Sequence, residues 1–263
     1  MATPTPSAHH PWVSGDDRGL QVVYVWEWPV RIAHWIIFFS ICVLSFTGYY
    51  LYDPFIISRG NRAFLMGTMR FIHEVTAFVF IAAFLLRFYW FFQGNKWARW
   101  KQFVLVGKER RKELKEWLKY YLFLRRDTIR QVGHNPLAGV AYAVIFALIL
   151  IEILTGLALF NHILGSRVLR FFIGWLPSLI SIHYLREIHF LIMFAFWAFF
   201  IHHVYSAVVV GIEERAGIVG SIFTGDKFIT EDVLRDDALR NPDDHESYTE
   251  PELQVRGGGK APA

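Results

Sequence analysis

The 263-residue sequence predicts an all-α integral membrane protein: a four-helix bundle with both termini in the cytoplasm and one extra amphipathic cytoplasmic helix. Three observations lead there. The chain is 54% hydrophobic and 17% aromatic, with a mean hydropathy of +0.31, too apolar to cover itself with a polar surface in water. Four stretches, near 30–52, 68–92, 137–160 and 187–211, reach the length of about 20 residues that a bilayer crossing needs. Basic residues gather in one connecting segment. Residues 94–135 hold twelve Lys or Arg, against two each in 53–67 (Arg59, Arg62) and 161–185 (Arg167, Arg170).

Residues 1–22 are polar, contain Pro and Ser, and lack the apolar core of a cleavable signal, so they read as a flexible tail. The four apolar stretches are helices, because a bilayer leaves an open chain no other way to satisfy its backbone. The second is the least clean, with Arg70, His73, Glu74 and Arg87 in or beside it; the third carries Glu152, to which the sequence assigns no role. The positive-inside rule places 94–135 and both termini in the cytoplasm, so spans 1 and 3 run outward and spans 2 and 4 inward. Within the basic segment, 108–126 has apolar residues at helical spacing. It reads as a helix along the inner membrane surface, with a solvated helical linker as the alternative. Residues 231–263 form a second polar tail.

Composition also excludes chemistry. A single cysteine, Cys42, allows no disulfide, no Cys-held iron–sulfur cluster and no covalent c-type haem. The net charge of +4 is concentrated in the segment that sets topology, so it does not point to nucleic acid.

Eleven histidines are present, of which His9, His10 and His245 lie in the polar tails. Taken singly, a histidine in an apolar helix is more often a packed residue than a ligand. The arrangement of His34, His73, His189 and His203 argues otherwise. His189 and His203 are 14 residues apart in span 4, which returns to within about 40° of the same face after a rise of about 21 Å. His202 points about 140° away, so His203 is the better partner for that stripe. With the predicted topology, His73 of span 2 shares the outer layer with His189, and His34 of span 1 shares the inner layer with His203. Two histidines per layer, from two helices, is what bis-histidine ligation of two b haems requires.

The arginines repeat the pattern. "RIAH" (31–34), "RFIH" (70–73) and "REIH" (186–189) each place an arginine three residues before a histidine, on the same side of the helix. Arg87 follows His73 by 14 residues. Arg70 and Arg186 are thus candidates for the outer haem's propionates, and Arg31 and Arg87 for the inner haem's. For Arg31 and Arg186, snorkelling to the headgroups remains an equal alternative.

With those residues placed, the chain resembles the cytochrome b subunit of membrane-bound nickel–iron hydrogenases, a diheme b-type anchor family. The resemblance covers residues 23 to 230 and rests on "RIAHWIIFFSICVLSFTG", "FLMGTMRFIHE", "GHNPLAGVAY" and "REIHFLIMFAFWAFFIHHVYSA". Phe190 and Phe194 depart from it, standing where many relatives carry a basic residue and a Trp. The resemblance implies a two-haem module in a bacterial inner membrane, within a larger oligomeric complex. It implies an electron-transfer subunit that accepts electrons from the iron–sulfur small subunit, and through it from the large subunit, and reduces a membrane quinone. This chain would not itself activate hydrogen. By the same analogy a quinone site lies near the inner haem, with His134 and Asn135 of "GHNP" as candidates; a plain helix start is the alternative, since Asn caps and Pro opens helices. The outer segments 53–67 and 161–185, with Phe55, Ile56, Ile57, Phe171, Phe172 and Trp175, would face the electron donor or lie in the headgroup layer. Related anchors of formate dehydrogenase or thiosulfate reductase form the nearest alternative. A haem-free transporter or scaffold is the alternative from another class, although no Gly/Pro-interrupted pair of spans supports it.

Overall fold

The computed structural model describes residues 20–56, 64–104, 108–125, 131–214, 217–230 and 233–234. Four long helices run up and down in sequence order: α1 (Trp28–Tyr52), α2 (Leu65–Gln93), α4 (Pro136–Leu164) and α7 (Ile182–Glu214). Each is long and apolar enough to cross a membrane. Their outward faces stay apolar, with Phe39 60%, Leu85 57% and Ile201 67% exposed, which suits hydrocarbon and not water. Shorter helices complete the chain: α3 (Lys108–Tyr121), α5 (Arg167–Ile173), α6 (Leu176–Leu179) and α8 (Ile218–Thr224).

Local sequence sets the helix ends. Pro29 sits in the first turn of α1, where its missing N–H costs nothing. Asn135 caps α4 by accepting from the Ala138 amide at 2.7 Å, and Pro136 follows it. At the other end of α4, Gly165 takes φ +68°, the left-handed conformation that closes a helix, and its N–H returns to Asn161 O.

The start of α1, the end of α2, the start of α4 and the end of α7 meet at one end of the bundle, where a cap covers them. Two short strands, β1 (Leu20–Tyr24) and β2 (Asp226–Thr230), pair antiparallel in this cap, Tyr24 facing Asp226 and Leu20 facing Thr230. Beyond the ladder, the amides of Val25 and Trp26 both donate to Gly225 O, at 2.8 and 3.0 Å. Gly225 has φ +91°, and a side chain there would strike the Tyr24 ring, so glycine is required. Val23, Val25, Trp26, Trp97, Val132, Ile229 and Leu234 form the cap's own core. Helix α3 docks at the same end: Trp117 is buried, and the Tyr120 hydroxyl donates to Glu213 at 2.6 Å.

Two features of the cap depart from the sequence reading. An all-α fold leaves no place for the β1–β2 pair. The pairing partners lie some two hundred residues apart, and five-residue strands carry too little alternation to announce themselves. The tails are also shorter than expected. Leu20 to Val22 belong to β1, and Leu234 is buried in the cap, although 1–22 and 231–263 read as tails. Val233 packs against the same core, while 1–19, 231–232 and 235–263, with His9, His10 and His245, lie outside the described residues, as do Ile57, Arg59 and Arg62.

One carboxylate ties the cap to the bundle. Glu27 Oε2 accepts from Trp90 Nε1 at 2.7 Å and from the Asn95 amide at 2.8 Å, while Asn95 Nδ2 donates to Val25 O at 2.9 Å. Glu27→Ala orphans two donors, so it is expected to lower stability by about 2–3 kcal/mol, read as an earlier unfolding midpoint in detergent. Glu27→Gln keeps an acceptor oxygen and is expected to recover most of the loss.

Candidate functional site

The four histidines singled out by spacing meet in two pairs. At the uncapped end His73 of α2 faces His189 of α7, with ring centroids 6.3 Å apart. At the capped end His34 of α1 faces His203 of α7, also at 6.3 Å. The α7 members are 14 residues apart, so the pairs lie in layers about 21 Å apart along that helix. Between the layers Phe80, Phe84, Ile149, Ile192 and Phe196 form a packed apolar cluster. His202 belongs to neither pair: it is exposed, and its ring lies 6.0 Å from that of Tyr121.

Hydroxyl groups aim three of the four rings. Thr47 Oγ1 donates to Val43 O one turn back, at 2.8 Å, and lies 2.9 Å from His73 Nδ1. Its only proton is thereby spent on the carbonyl, so its oxygen accepts from Nδ1–H. That fixes the tautomer and leaves His73 Nε2 bare. The same device recurs in α4: Thr155 Oγ1 donates to Ile151 O at 2.8 Å and lies 3.0 Å from His189 Nδ1. In the capped layer the Tyr142 hydroxyl stands 3.1 Å from His203 Nδ1. Nδ1 of His34 is sealed from solvent with no partner among the described residues.

A glycine follows each threonine, and it lets the ring come close. A Cβ added at Gly48 would lie 3.2 Å from His73 Cε1, and one at Gly156 would lie 3.0 Å from His189 Cε1. Both glycines line a cavity of about 470 Å³ at the uncapped end, together with His73, His189, Arg70 and Arg186. That volume falls in the range of about 300–1,000 Å³ usual for cofactor and ligand sites. Glu152 lies in the same wall, its Oε1 3.3 Å from His189 Nδ1 and its Oε2 without a partner among the described residues.

Arg31 and Arg87 sit at the capped end, as their spacing implies. Arg31 donates to Phe223 O and lies within 3.5 Å of the Tyr24 hydroxyl. Arg87 is buried, donates to Ala98 O at 3.3 Å, and stacks its guanidinium 4.3 Å from the centre of Phe91. Its Nη1 has no partner among the described residues.

His134 lies just before α4, in a box of aromatic rings: Trp26 at 4.6 Å, Tyr142 at 4.9 Å and Phe103 at 5.2 Å between centroids. Burial, and then the positive charges of Lys227, Arg87 and Arg110, hold its imidazole well below the usual histidine range, so it is neutral at pH 7. Lys227 donates to Val132 O at 3.0 Å, and its burial lowers its own proton affinity. Asn135 is next in sequence, but its side-chain oxygen is committed to the α4 cap.

Spacing did not single out Thr47, Gly48, Tyr142, Thr155 or Gly156. One signal was available. The dipeptide Thr-Gly occurs in span 1 and again in span 3, 13 residues after His34 and Tyr142 respectively.

Residues 25–225 match the family described as prokaryotic cytochrome b561. A probable Ni/Fe-hydrogenase B-type cytochrome subunit from Rhizobium leguminosarum bv. viciae is 36% identical over 218 residues, covering 79% of this chain and 89% of the relative. A protein of the same description from Bradyrhizobium diazoefficiens is 36% identical, over 80% of this chain and 87% of its own length. The probable Ni/Fe-hydrogenase 1 B-type cytochrome subunit of Escherichia coli K12 is 32% identical, over 77% and 89% respectively.

Proposed function

The chain belongs to the prokaryotic cytochrome b561 family, and from that premise we propose that it is the diheme membrane subunit of an uptake nickel–iron hydrogenase, passing electrons from the iron–sulfur small subunit to a membrane quinone. The observation that carries this reading is the pair of facing histidine pairs, one per membrane layer, with the same 6.3 Å separation. Two imidazoles that bind one metal atom at about 2 Å each hold their ring centres about 6 Å apart. The donor set fits as well. Hydroxyls hold Nδ1 of His73, His189 and His203, which leaves Nε2 of each for iron.

Haem b, when bound, supplies a one-electron carrier that needs no proton to change state. The rest belongs to the chain. His73 and His189 ligate at the uncapped end, and Arg70 and Arg186 in the same cavity wall pair with propionates. His34 and His203 ligate at the capped end, with Arg31 and Arg87 as the basic residues of that layer. Phe80, Phe84 and Phe196 keep water out of the space between. The capped end is the cytoplasmic one in this reading, since the basic segment 94–135 belongs to it, and α3 lies along that membrane surface. The uncapped end then meets the electron donor, where Phe55, Phe171 and Phe172 are 52%, 83% and 68% exposed.

A quinone is reduced beside the inner layer, at the mouth of α4. His134→Ala is expected to block quinone reduction while both haems stay bound and reducible from the donor side. Asn135→Asp keeps the cap acceptor but offers no N–H, so it is expected to slow quinone reduction with the helix intact. Normal turnover in both variants would reduce "GHNP" to a helix start. The reading as a whole is tested by purifying the chain from native membranes and identifying its companions. Hydrogenase subunits, with hydrogen-dependent haem reduction, are expected; subunits of another oxidoreductase would overturn the assignment.

A further inference from the structure

Tyr142 lies in α4 about 10 Å deeper than Asn135, between the inner histidine pair and the His134 box. Its hydroxyl is 3.1 Å from His203 Nδ1, and its ring meets that of His134 edge-on at 4.9 Å and 77°. With His203 bound to iron through Nε2, Nδ1 carries the proton and donates to the phenol oxygen. The phenol proton is then left over. Thr47 and Thr155 spend theirs on a carbonyl of their own helix. The longer Tyr142 side chain has no such carbonyl, and His203 is its only hydrogen-bond partner among the described residues.

The surroundings suit a planar dicarbonyl ring. His134 presents a second uncommitted group, since its Nδ1 is sealed from solvent without a partner among the described residues. Trp26 and Phe103 supply aromatic rings tilted against His134, at 4.6 and 5.2 Å between centroids. Burial, and then the charges of Lys227, Arg87 and Arg110, depress His134's proton affinity, and those charges also favour an electron-rich carbonyl oxygen. Asn135 is the poorer donor site because its side chain is held by the cap.

We infer that Tyr142 donates the hydrogen bond that holds one quinone carbonyl oxygen, while the same hydroxyl anchors the inner ligand His203. This rests on the reading of a quinone site at the capped end and names the residue that would carry it. A single side chain would then touch both the acceptor and the ligand of the inner iron.

Tyr142→Phe removes one hydroxyl, and with it the contact to His203, while keeping the ring; it is made in the full-length, haem-loaded protein. Binding of an alkyl hydroxyquinoline N-oxide, followed by quenching of its fluorescence, is expected to weaken about tenfold, as for loss of one hydrogen bond. Reoxidation of the dithionite-reduced haems by a short-chain naphthoquinone or benzoquinone is expected to slow by a similar factor, and reoxidation by ferricyanide to slow far less, by only what the loosened His203 contributes. Unaltered probe binding would overturn the inference. So would equal slowing with quinone and ferricyanide, since Tyr142 would then act only through His203. If the wild-type protein reacts with ferricyanide but with neither quinone, the quinone reading itself fails, and the inference with it.

Discussion

His189→Ala is expected to leave one of the two haems that the proposed function assigns to the chain, and the surviving haem should be the one that His203→Ala removes. The two histidines share a helix but not a layer, and each faces a different partner at 6.3 Å. Removing one imidazole would leave a haem at that layer with a single protein ligand, and a chain with one cysteine has no covalent attachment to hold it. His73→Ala should therefore reproduce the His189 spectrum, and His34→Ala that of His203. His202→Ala should keep both haems, because its ring lies against Tyr121 and neither pair. Reduced-minus-oxidised spectra of the five variants, with haem quantified per chain, separate the cases. Loss of the same haem in the His34 and His73 variants would mean that the layers are wrong.

Gly156→Leu is expected to lose the uncapped-end haem as completely as His189→Ala does, although no ligand is touched. Even the first carbon of a side chain would stand 3.0 Å from His189 Cε1, closer than packed atoms normally approach. The remaining leucine carbons must enter the cavity that the ring and its partner line. Gly48→Leu should act the same way on His73, with slightly more room at 3.2 Å. Gly67→Ala is the control. It lies in α2 with open space around it, so alanine there should be harmless and add up to about 1 kcal/mol of helix stability. The capped-end haem should persist in all three variants. Retention of both haems in Gly156→Leu would mean that His189 takes a different orientation when loaded.

The layers were legible because helix geometry converts spacing into position. Fourteen residues on a span of known direction put His189 and His203 at two depths, and the same arithmetic relates His73 to Arg87. Pairing followed from topology alone. The groups that aim the rings were not legible in the same way. Thr47 meets His73, and Thr155 meets His189, only because α1 packs on α2, and α4 on α7, in one particular register. Register depends on how whole helix surfaces interlock, which a single span does not reveal. A Thr-Gly pair in an apolar helix carries no sign of which neighbouring ring it will meet. Tyr142 was hidden for a related reason, since an interfacial tyrosine is common near a membrane end. The cap was the least legible part. Its strands are short, distant in sequence and joined through backbone groups of Val25, Trp26 and Gly225, so no periodic pattern marks them.

The most direct measurement is the haem-to-protein ratio of the purified wild-type chain, taken by extracting the cofactor and weighing it against protein from amino-acid analysis. The account predicts two haem b per chain, both low-spin. A ratio of one, or no haem at all, would contradict it.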